Sequence, residues 1–395
     1  MDNKNVFIAI ALSMSVLLFW GALFEKPKPK VSSSLQEKVQ NNNETSNNNI
    51  TPSINENLEI KSVLRKDSIG KVARIKIEND SIIGSISLKG GLIDDVSFKK
   101  HKQNLKDKKN VVFLNPQETS NGYFVETGWS SIGNKITVPN TNTIWSVMGN
   151  NILSNNQSIT LQWNNEEGII FKKVIELDEK YLFKISQVVE NNTNASIDLY
   201  PYAQITRNKI PDDIQNFYIS HEGFIGVFDD ELKEDDYDDI EDKKIVREAN
   251  KGWLGITDKY WMTALVPKQG ENFKSTFLYK DAFKANYILN NPTTIKSSSS
   301  NSNDVRLFVA AKEVETIDNY AANQKIEKLD LTIDWGWFYF FTKPLFFVID
   351  YLFKFSGNFG IAIVLITISI RLLFFPLANY SFRSMAKMKA LQPEM

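Results

Sequence analysis

The 395-residue chain contains no cysteine and only two histidines, His101 and His221. The absence of cysteine excludes disulfides, thiol nucleophiles and thiolate metal sites, and two histidines leave little for histidine-based catalysis or metal binding. The 46 basic and 47 acidic side chains give a formal net charge of -1, which does not indicate a nucleic-acid partner. We therefore expect no cofactor, no metal and no direct binding of nucleic acid.

The first long apolar run lies at the amino terminus. Residues 6–24 carry no charge, and a helix of that length reaches about 28 Å, close to the hydrocarbon thickness of a bilayer. A cleaved signal peptide is the alternative, but the run is long for one and no clear cleavage site follows it. We expect a transmembrane anchor over residues 1–24 and a disordered linker, rich in Asn and Ser, over residues 25–57.

Residues 58–333 change to short segments in which apolar and polar residues alternate. The segments 73–78, 84–89 and 181–186 show this period of two, and the pair Gly90-Gly91 predicts a turn. No segment of helical period interrupts them until residues 317–329. Many short strands predict one large all-β sandwich.

An acidic segment inside this region carries ten carboxylates over residues 229–242. Calcium binding is one interpretation, but the EF-hand spacing lacks its glycine. We expect a solvated loop instead.

Residues 334–356 are dense in aromatic side chains and hold three charges, Lys343, Asp350 and Lys354. On a helical wheel these charges fall within a sector of about 40°. One narrow charged stripe on an apolar helix predicts an amphipathic helix in the membrane interface. A transmembrane helix with three charges is the alternative.

A second apolar run, residues 357–378, predicts another spanning helix with a single charge, Arg371. Gly360, Val364, Thr367 and Arg371 share one helix face by their spacing. A charge near the bilayer centre is costly and usually faces protein or water, so this face is expected to line a hydrophilic groove. The alternative is an arginine that snorkels to the headgroups.

The orientation of the chain follows from the charges that flank the spans. Arg383, Lys387 and Lys389 follow the second span and predict a cytoplasmic carboxyl-terminal side. Three lysines between residues 26 and 30 argue the opposite for the first span, but Glu25 and prolines surround them and a large domain follows. We therefore expect a cytoplasmic amino terminus and a β domain on the other side of the membrane.

The carboxyl-terminal segments carry a specific pattern. Residues 358–367 read Asn-Phe-Gly-Ile-Ala-Ile-Val-Leu-Ile-Thr, residues 371–377 read Arg-Leu-Leu-Phe-Phe-Pro-Leu, and residues 384–394 read Ser-Met-Ala-Lys-Met-Lys-Ala-Leu-Gln-Pro-Glu. With these segments, and more weakly with residues 252–256 and 260–267 of the β region, the chain resembles the bacterial YidC insertase family, within the wider YidC/Oxa group.

The resemblance implies a periplasmic β-supersandwich, an interfacial helix and an insertase core of five spans in the bacterial inner membrane. It places Arg371 in a groove that receives clients. It implies nascent membrane proteins as clients, with or without the Sec translocon, the ribosome and membrane lipids as further partners, and no enzymatic activity.

Residues 379–395 resemble the first arm of a cytoplasmic helical hairpin. The arm contains Met385, Lys387 and Met388, and its methionines suit either contact with varied clients or packing between the hairpin helices. Because the chain ends at Met395 inside this arm, we expect a fragment with only the first part of the core.

Two other functions are kept as alternatives. Large β-supersandwiches also include sugar mutarotases, and such an enzyme would place a histidine and a carboxylate in a pocket. The second alternative is a two-pass envelope protein with a periplasmic binding domain.

Overall fold

The computed structural model describes residues 63–391 except 105, 107, 132–135, 213, 215–219 and 337, and it describes side chains through residue 386. The predicted anchor over residues 1–24 and the linker over residues 25–57 therefore lie outside the described residues. The described chain forms a β domain followed by two long helices.

Twenty strands among the described residues build the β domain. They are β1 Arg74–Glu78, β2 Ile82–Ser87, β3 Leu92–Lys102, β4 Asn110–Leu114, β5 Tyr123–Ser130, β6 Ser146–Met148, β7 Ile152–Leu153, β8 Ile159–Asn164, β9 Ile169–Leu177, β10 Leu182–Asn191, β11 Ile197–Arg207, β12 Gly223–Phe228, β13 Glu231–Asp235, β14 Ile245–Ala249, β15 Gly252–Thr257, β16 Trp261–Val266, β17 Phe273–Lys280, β18 Ala282–Leu289, β19 Thr293–Ile295 and β20 Ser299–Ala311.

The strands form two sheets that enclose one core. The eleven-stranded sheet runs β14-β17-β18-β11-β5-β3-β2-β1-β7, with β19 beside β11 and β4 beside β3. The nine-stranded sheet runs β13-β12-β15-β16-β20-β10-β9-β8-β6. Strand β10 is paired with β9 and β20 along its whole length. The described part of the chain thus confirms the predicted large β-sandwich.

The alternating sequence pattern explains which side chains of the strands are buried in the core. Along β9 every second side chain is buried, and its neighbours reach the surface. Trp253 and Phe171 from one sheet and Tyr123 from the other are almost completely buried in the core. At Gly90 and Gly91 the backbone is left-handed, with φ of 75° and 60°, as the tight turn between β2 and β3 requires.

A short helix, α1 (Arg65–Lys71), precedes the first strand, and the sequence pattern did not predict it.

The acidic segment 229–242 is solvated as expected, since its carboxylates are exposed except that of Asp235, but the expectation of a loop is wrong. The segment forms β13 and a short helix, α2 (Tyr237–Asp242), because Tyr237 and Ile240 enter the core. Arg247 also binds Asp235 through two hydrogen bonds of 2.7 and 2.9 Å, which offsets part of the acidic charge. Among the described residues, no group of three acidic or histidine side chains is arranged to hold a metal.

The expected helical segment 317–329 is also displaced. The helix α3 spans Val314–Asn323, and a separate 3-10 turn spans Leu329–Thr332. Ile317 and Tyr320 are buried on α3, and Leu329 is buried in the turn. The apolar residues of segment 317–329 are therefore divided between two elements.

Two helices follow the β domain. Helix α4 spans Tyr339–Ser356 and ends at Gly357, whose φ is 67° and whose N–H donates to the carbonyl of Phe353 at 2.8 Å. Helix α5 spans Phe359–Leu391, and its segment Phe359–Ala386 is long and apolar enough to cross a membrane. Helix α5 continues past residue 378 without a break, so the predicted boundary between span and hairpin remains a prediction.

Candidate functional site

Helix α5 packs against α4 through one face only. Ala362 and Ile366 are buried, and Ile370 is partly buried, at successive spacings of four residues. At 100° per residue, the face of Gly360, Val364, Thr367 and Arg371 is centred about 130° away from this packed face. The four side chains predicted to line a groove are therefore exposed together, and no element packs on them within the described residues.

The polar side chains on this face, Thr367 and Arg371, are exposed. The Thr367 hydroxyl donates to the carbonyl of Ile363 at 2.7 Å, which satisfies its proton within the helix and leaves its oxygen exposed. Arg371 forms no ion pair with a described carboxylate. It lies twelve residues after the first residue of α5, or about 18 Å along the helix axis.

The charged stripe of α4 faces the β domain. Lys343 binds Asp318 of α3 with an Nζ–Oδ1 distance of 2.9 Å and lies 3.8 Å from Asp330. Lys354 pairs with Asp350 at 2.8 Å and lies 3.9 Å from Glu315 of α3. The Asp350 carboxylate raises the pKa of Lys354 by accepting its hydrogen bond, so the ammonium stays charged.

Helix α4 also exposes aromatic side chains. No residue of α4 is buried, and its exposed members include Tyr339, Phe340, Phe347, Tyr351 and Phe355. Trp335 packs on Phe346 edge to face, with ring centroids 5.5 Å apart, and partly shields it. The helix thus combines a charged stripe toward the β domain with exposed aromatic side chains.

The residues predicted in the cytoplasmic hairpin lie on the last turns of α5. Met385 is 45% exposed. The backbone of Lys387 and Met388 belongs to α5, and their side chains lie outside the described ones.

A groove that the sequence did not predict lies where β3, β16 and β20 end. It encloses about 1200 Å³ and is lined by Lys100, His101, Lys106, Tyr260, Trp261 and Lys312, among others. Burial lowers the pKa of the Lys312 ammonium to about 8, although Asp258, Glu222 and Asp334 oppose that effect. The sheet topology brings these residues together from distant segments, so no local sequence pattern predicts the groove.

One histidine and one carboxylate do meet in this groove. His101 Nε2 lies 3.2 Å from Glu313 Oε1, which also accepts the Tyr181 hydroxyl at 3.0 Å, while Oε2 accepts from Thr316 at 2.9 Å. Burial works against ionisation of Glu313, but these hydrogen bonds lower its pKa. A carboxylate held by three donors suits a structural role better than proton transfer. The other histidine, His221, binds the Phe224 carbonyl at 2.8 Å.

Comparison with known proteins assigns both regions. Residues 74–348 match the model of the YidC periplasmic domain, and residues 351–395 match the model described as 60Kd inner membrane protein. The chain belongs to the YidC family of membrane protein insertases. It is 46% identical over 395 residues to the membrane protein insertase YidC of Pelagibacter ubique, covering 100% of this chain and 70% of that relative. The YidC of Brucella melitensis is 38% identical over 427 residues, again covering 100% and 70%.

Membership in the YidC family gives the function and the place. This is an inner membrane protein that acts in the insertion of membrane proteins, with a periplasmic β-sandwich and a carboxyl-terminal apolar helix. Its partners are therefore membrane protein clients and lipids. The family is one of insertases rather than catalytic enzymes.

A solved structure shows a weak likeness to the β domain. It is a galactose mutarotase related enzyme from Lactobacillus acidophilus, 13% identical, which covers 60% of this chain and 97% of its own with a TM-score of 0.41. A likeness of this size does not bear on activity.

Proposed function

We propose that the exposed face of Gly360, Val364, Thr367 and Arg371 is the client-contact surface of this insertase. The observation that carries the proposal is that these residues lie together on the spanning helix, away from α4, while Arg371 has no described acidic partner. A positive charge and a hydroxyl in an apolar span are costly unless water or a polar client reaches them. The presence of both groups on one face of the helix is consistent with a hydrophilic groove.

The mechanism needs no covalent chemistry. An incoming segment with a polar flank must carry that flank across a low-dielectric layer, and a groove that admits water shortens the path. Arg371 attracts acidic or polar groups of the flank transiently. The apolar part of the segment then moves into lipid, because burial away from water is favourable. In this scheme the chain is a chaperone for insertion and has no enzymatic activity.

Helix α4 would set the depth of this surface. Its aromatic side chains are exposed and its charges point to α3, so it suits a position in the membrane interface with the aromatic rings among the acyl chains. Gly357 then turns the chain into α5.

Substitutions at Arg371 test the groove in the full-length insertase. Arg371→Lys should insert clients at a substantial fraction of the normal rate, since a point charge remains although the planar fork is lost. Arg371→Ala and Arg371→Glu should lose insertion of a client with an acidic translocated tail, Glu more severely because like charges repel. The measurement is the fraction of client tail that becomes accessible to periplasmic protease, normalised to insertase level.

The opposite face of α5 supplies the matched control. Ser369 lies about 180° from Gly360 and, like Thr367, bonds its own helix, at 2.9 Å to the Leu365 carbonyl. Ser369→Leu should leave insertion unchanged, whereas Thr367→Leu combined with Arg371→Leu should abolish it for acidic tails. Normal insertion by Arg371→Glu would remove Arg371 from the mechanism and favour snorkelling.

The proposal also covers topology and partners. The amino terminus would be cytoplasmic, the chain would cross the membrane several times, and Sec translocon and ribosome would be partners in delivery of clients. Because the chain has no cysteine, a single cysteine at exposed Asn150 gives an unambiguous label. It should react with an impermeant maleimide in intact spheroplasts. Reaction only after lysis would contradict the proposed orientation.

A further inference from the structure

The end of β3 and the turn that leads into β4 are rich in exposed lysines. Residues 99–109 contain six lysines, one histidine and a single acid, Asp107. Five of the lysines are exposed: Lys100, Lys102, Lys106, Lys108 and Lys109. None of these five forms an ion pair with a carboxylate in the described part of the chain. We call this segment the basic hairpin.

The basic hairpin forms one wall of the groove of about 1200 Å³, which we call the basic groove. Its other walls carry Lys259 and Lys312 together with Tyr260 and Trp261. The Tyr260 ring is 59% exposed, and it meets Trp261 at a centroid distance of 6.2 Å. Glu313 is the one acidic side chain among the described residues that line the groove, and it is already bound by His101, Tyr181 and Thr316. The groove therefore has spare positive charge.

The groove and the last turn of α4 meet the same end of α3. Lys354, near the end of α4, is 3.9 Å from Glu315. Glu313, two residues earlier, lines the groove, and two residues of backbone span at most about 7 Å. Helix α5 begins five residues after Lys354, at Phe359. The positive charge thus lies at the end of α3 that meets the last turn of α4, and α4 leads into the spanning helix.

We propose that the basic groove and the basic hairpin form a docking surface for the anionic phospholipid headgroups of the leaflet that α5 enters. The proposal goes beyond client insertion, and it rests on the placement of α4 and α5 proposed above. Lysines attract a diffuse layer of negative charge within a Debye length of the surface. Tyr260 and Trp261 have the amphipathic rings that settle at the headgroup level.

An acidic polypeptide is the competing occupant. Two observations favour lipid. The segment 99–109 contains no arginine, the residue that binds individual carboxylates through a paired fork, whereas lysine acts as a point charge. With α4 in the membrane interface as proposed above, the surface also lies near the membrane, where headgroups are always present and an acidic chain would have to be delivered.

Fluorescence quenching by lipid tests the docking surface in the full chain. A single Gln103→Cys carries a fluorophore on the exposed hairpin, and the chain is reconstituted in nanodiscs whose headgroups bear a nitroxide quencher. Quenching should be strong in discs that contain phosphatidylglycerol and weak in discs of phosphatidylcholine alone. It should fall when salt rises from about 0.1 M to about 1 M, because the Debye length shortens from about 10 Å to about 3 Å.

Charge reversal identifies the residues. Lys100→Glu with Lys106→Glu should lower the phosphatidylglycerol-dependent occupancy of the quenched state by roughly tenfold or more. The matched control reverses Lys89 and Lys296, which lie beyond the opposite ends of β3 and β20. This control should leave quenching unchanged. Equal quenching in the test and control variants would overturn the proposal.

Two further arms separate the explanations. A label at Phe355→Cys, which is 79% exposed on α4, should be quenched in both lipid mixtures. An unquenched Phe355 label would overturn the placement of α4 and the docking surface with it, whereas client insertion by Arg371 variants is measured separately. If the Gln103 label ignores phosphatidylglycerol but responds to added polyglutamate, the groove takes an acidic chain and the lipid proposal is wrong.

Discussion

The two regions of this molecule place aromatic side chains in opposite environments. In the β domain, Trp253 and Phe273 are fully buried between the sheets. On α4, Tyr351 is 70% exposed and Phe355 is 79% exposed. The β domain buries its apolar surface in its own core, because removing apolar surface from water is favourable. The helices leave theirs uncovered, which is stable only where lipid provides the covering.

The largest expected effect comes from removing a buried aromatic side chain of the β domain. Trp253→Ala should lower the free energy of unfolding of the β domain by about 3–5 kcal/mol, since it leaves a cavity and removes the hydrogen bond from Nε1 to the Glu327 carbonyl at 3.1 Å. Urea unfolding of the full chain in detergent, followed by near-ultraviolet circular dichroism, measures it. Phe355→Ala is the matched aromatic deletion and should leave this transition in place. Equal shifts would mean that α4 belongs to the folding unit of the sandwich.

A second prediction concerns the buried charge at the edge of the β domain. The pKa of Lys312 is lowered to about 8 by burial, from its ordinary value near 10.5. Between these values the unfolded chain binds more protons than the folded chain, so the stability of the wild type should rise with pH there. Lys312→Met should flatten that rise by at most about 3 kcal/mol and should stabilise the domain at pH 7.

The measurement is the urea midpoint of wild type and Lys312→Met between pH 7 and pH 10. The control is Lys296→Met, which replaces an exposed lysine beyond the other end of β20 and should leave the pH profile of the wild type in place. Parallel pH profiles for wild type and Lys312→Met would show that burial does not disfavour the charged ammonium.

A third prediction concerns the junction between the regions. Lys343→Ala removes the ion pair with Asp318, in which the two side chains are 26% and 33% exposed. Since such partly exposed pairs contribute up to about 1 kcal/mol, the amides at the start of α4 should exchange with deuterium up to about fivefold faster. Lys354→Ala, at 3.9 Å from Glu315 and 60% exposed, should have a smaller effect on docking to α3. High salt should reduce the difference, and an unchanged exchange rate in Lys343→Ala would contradict a role for this pair.

The smallest expected effect lies on α5. Thr367→Val keeps the shape of the side chain and removes a hydroxyl, so the urea transition of the β domain should move by less than about 0.5 kcal/mol. Insertion of a client with an acidic tail should nevertheless slow modestly, because one polar group leaves the groove face. Ser369→Ala, on the opposite side of the helix, should slow it less. If only Ser369→Ala slowed insertion, the groove would lie on the Ser369 side of α5, and the proposed face would be wrong.

Much of the fold could be predicted from local sequence because period and composition are local. Alternation along residues 181–186 predicts β10, and the pair Gly90-Gly91 predicts its turn. The acidic segment 229–242 differs from the expected loop because the burial of Tyr237 and Ile240 outweighs its charge density. The sequence also predicted which side chains of α5 share a face, since helix spacing fixes this.

The sequence by itself determined the alternation of the strands, the apolar segment of α5 and the charged stripe of α4, because each depends on neighbours within about one helix turn or strand. Only the tertiary structure decided which face of α5 meets α4, that the stripe of α4 meets Asp318 and Glu315, and that the basic hairpin joins Trp261 and Lys312 in one groove. Those contacts join residues far apart in the chain. Their partners are chosen by packing of the whole domain, and local pattern contains no information about them.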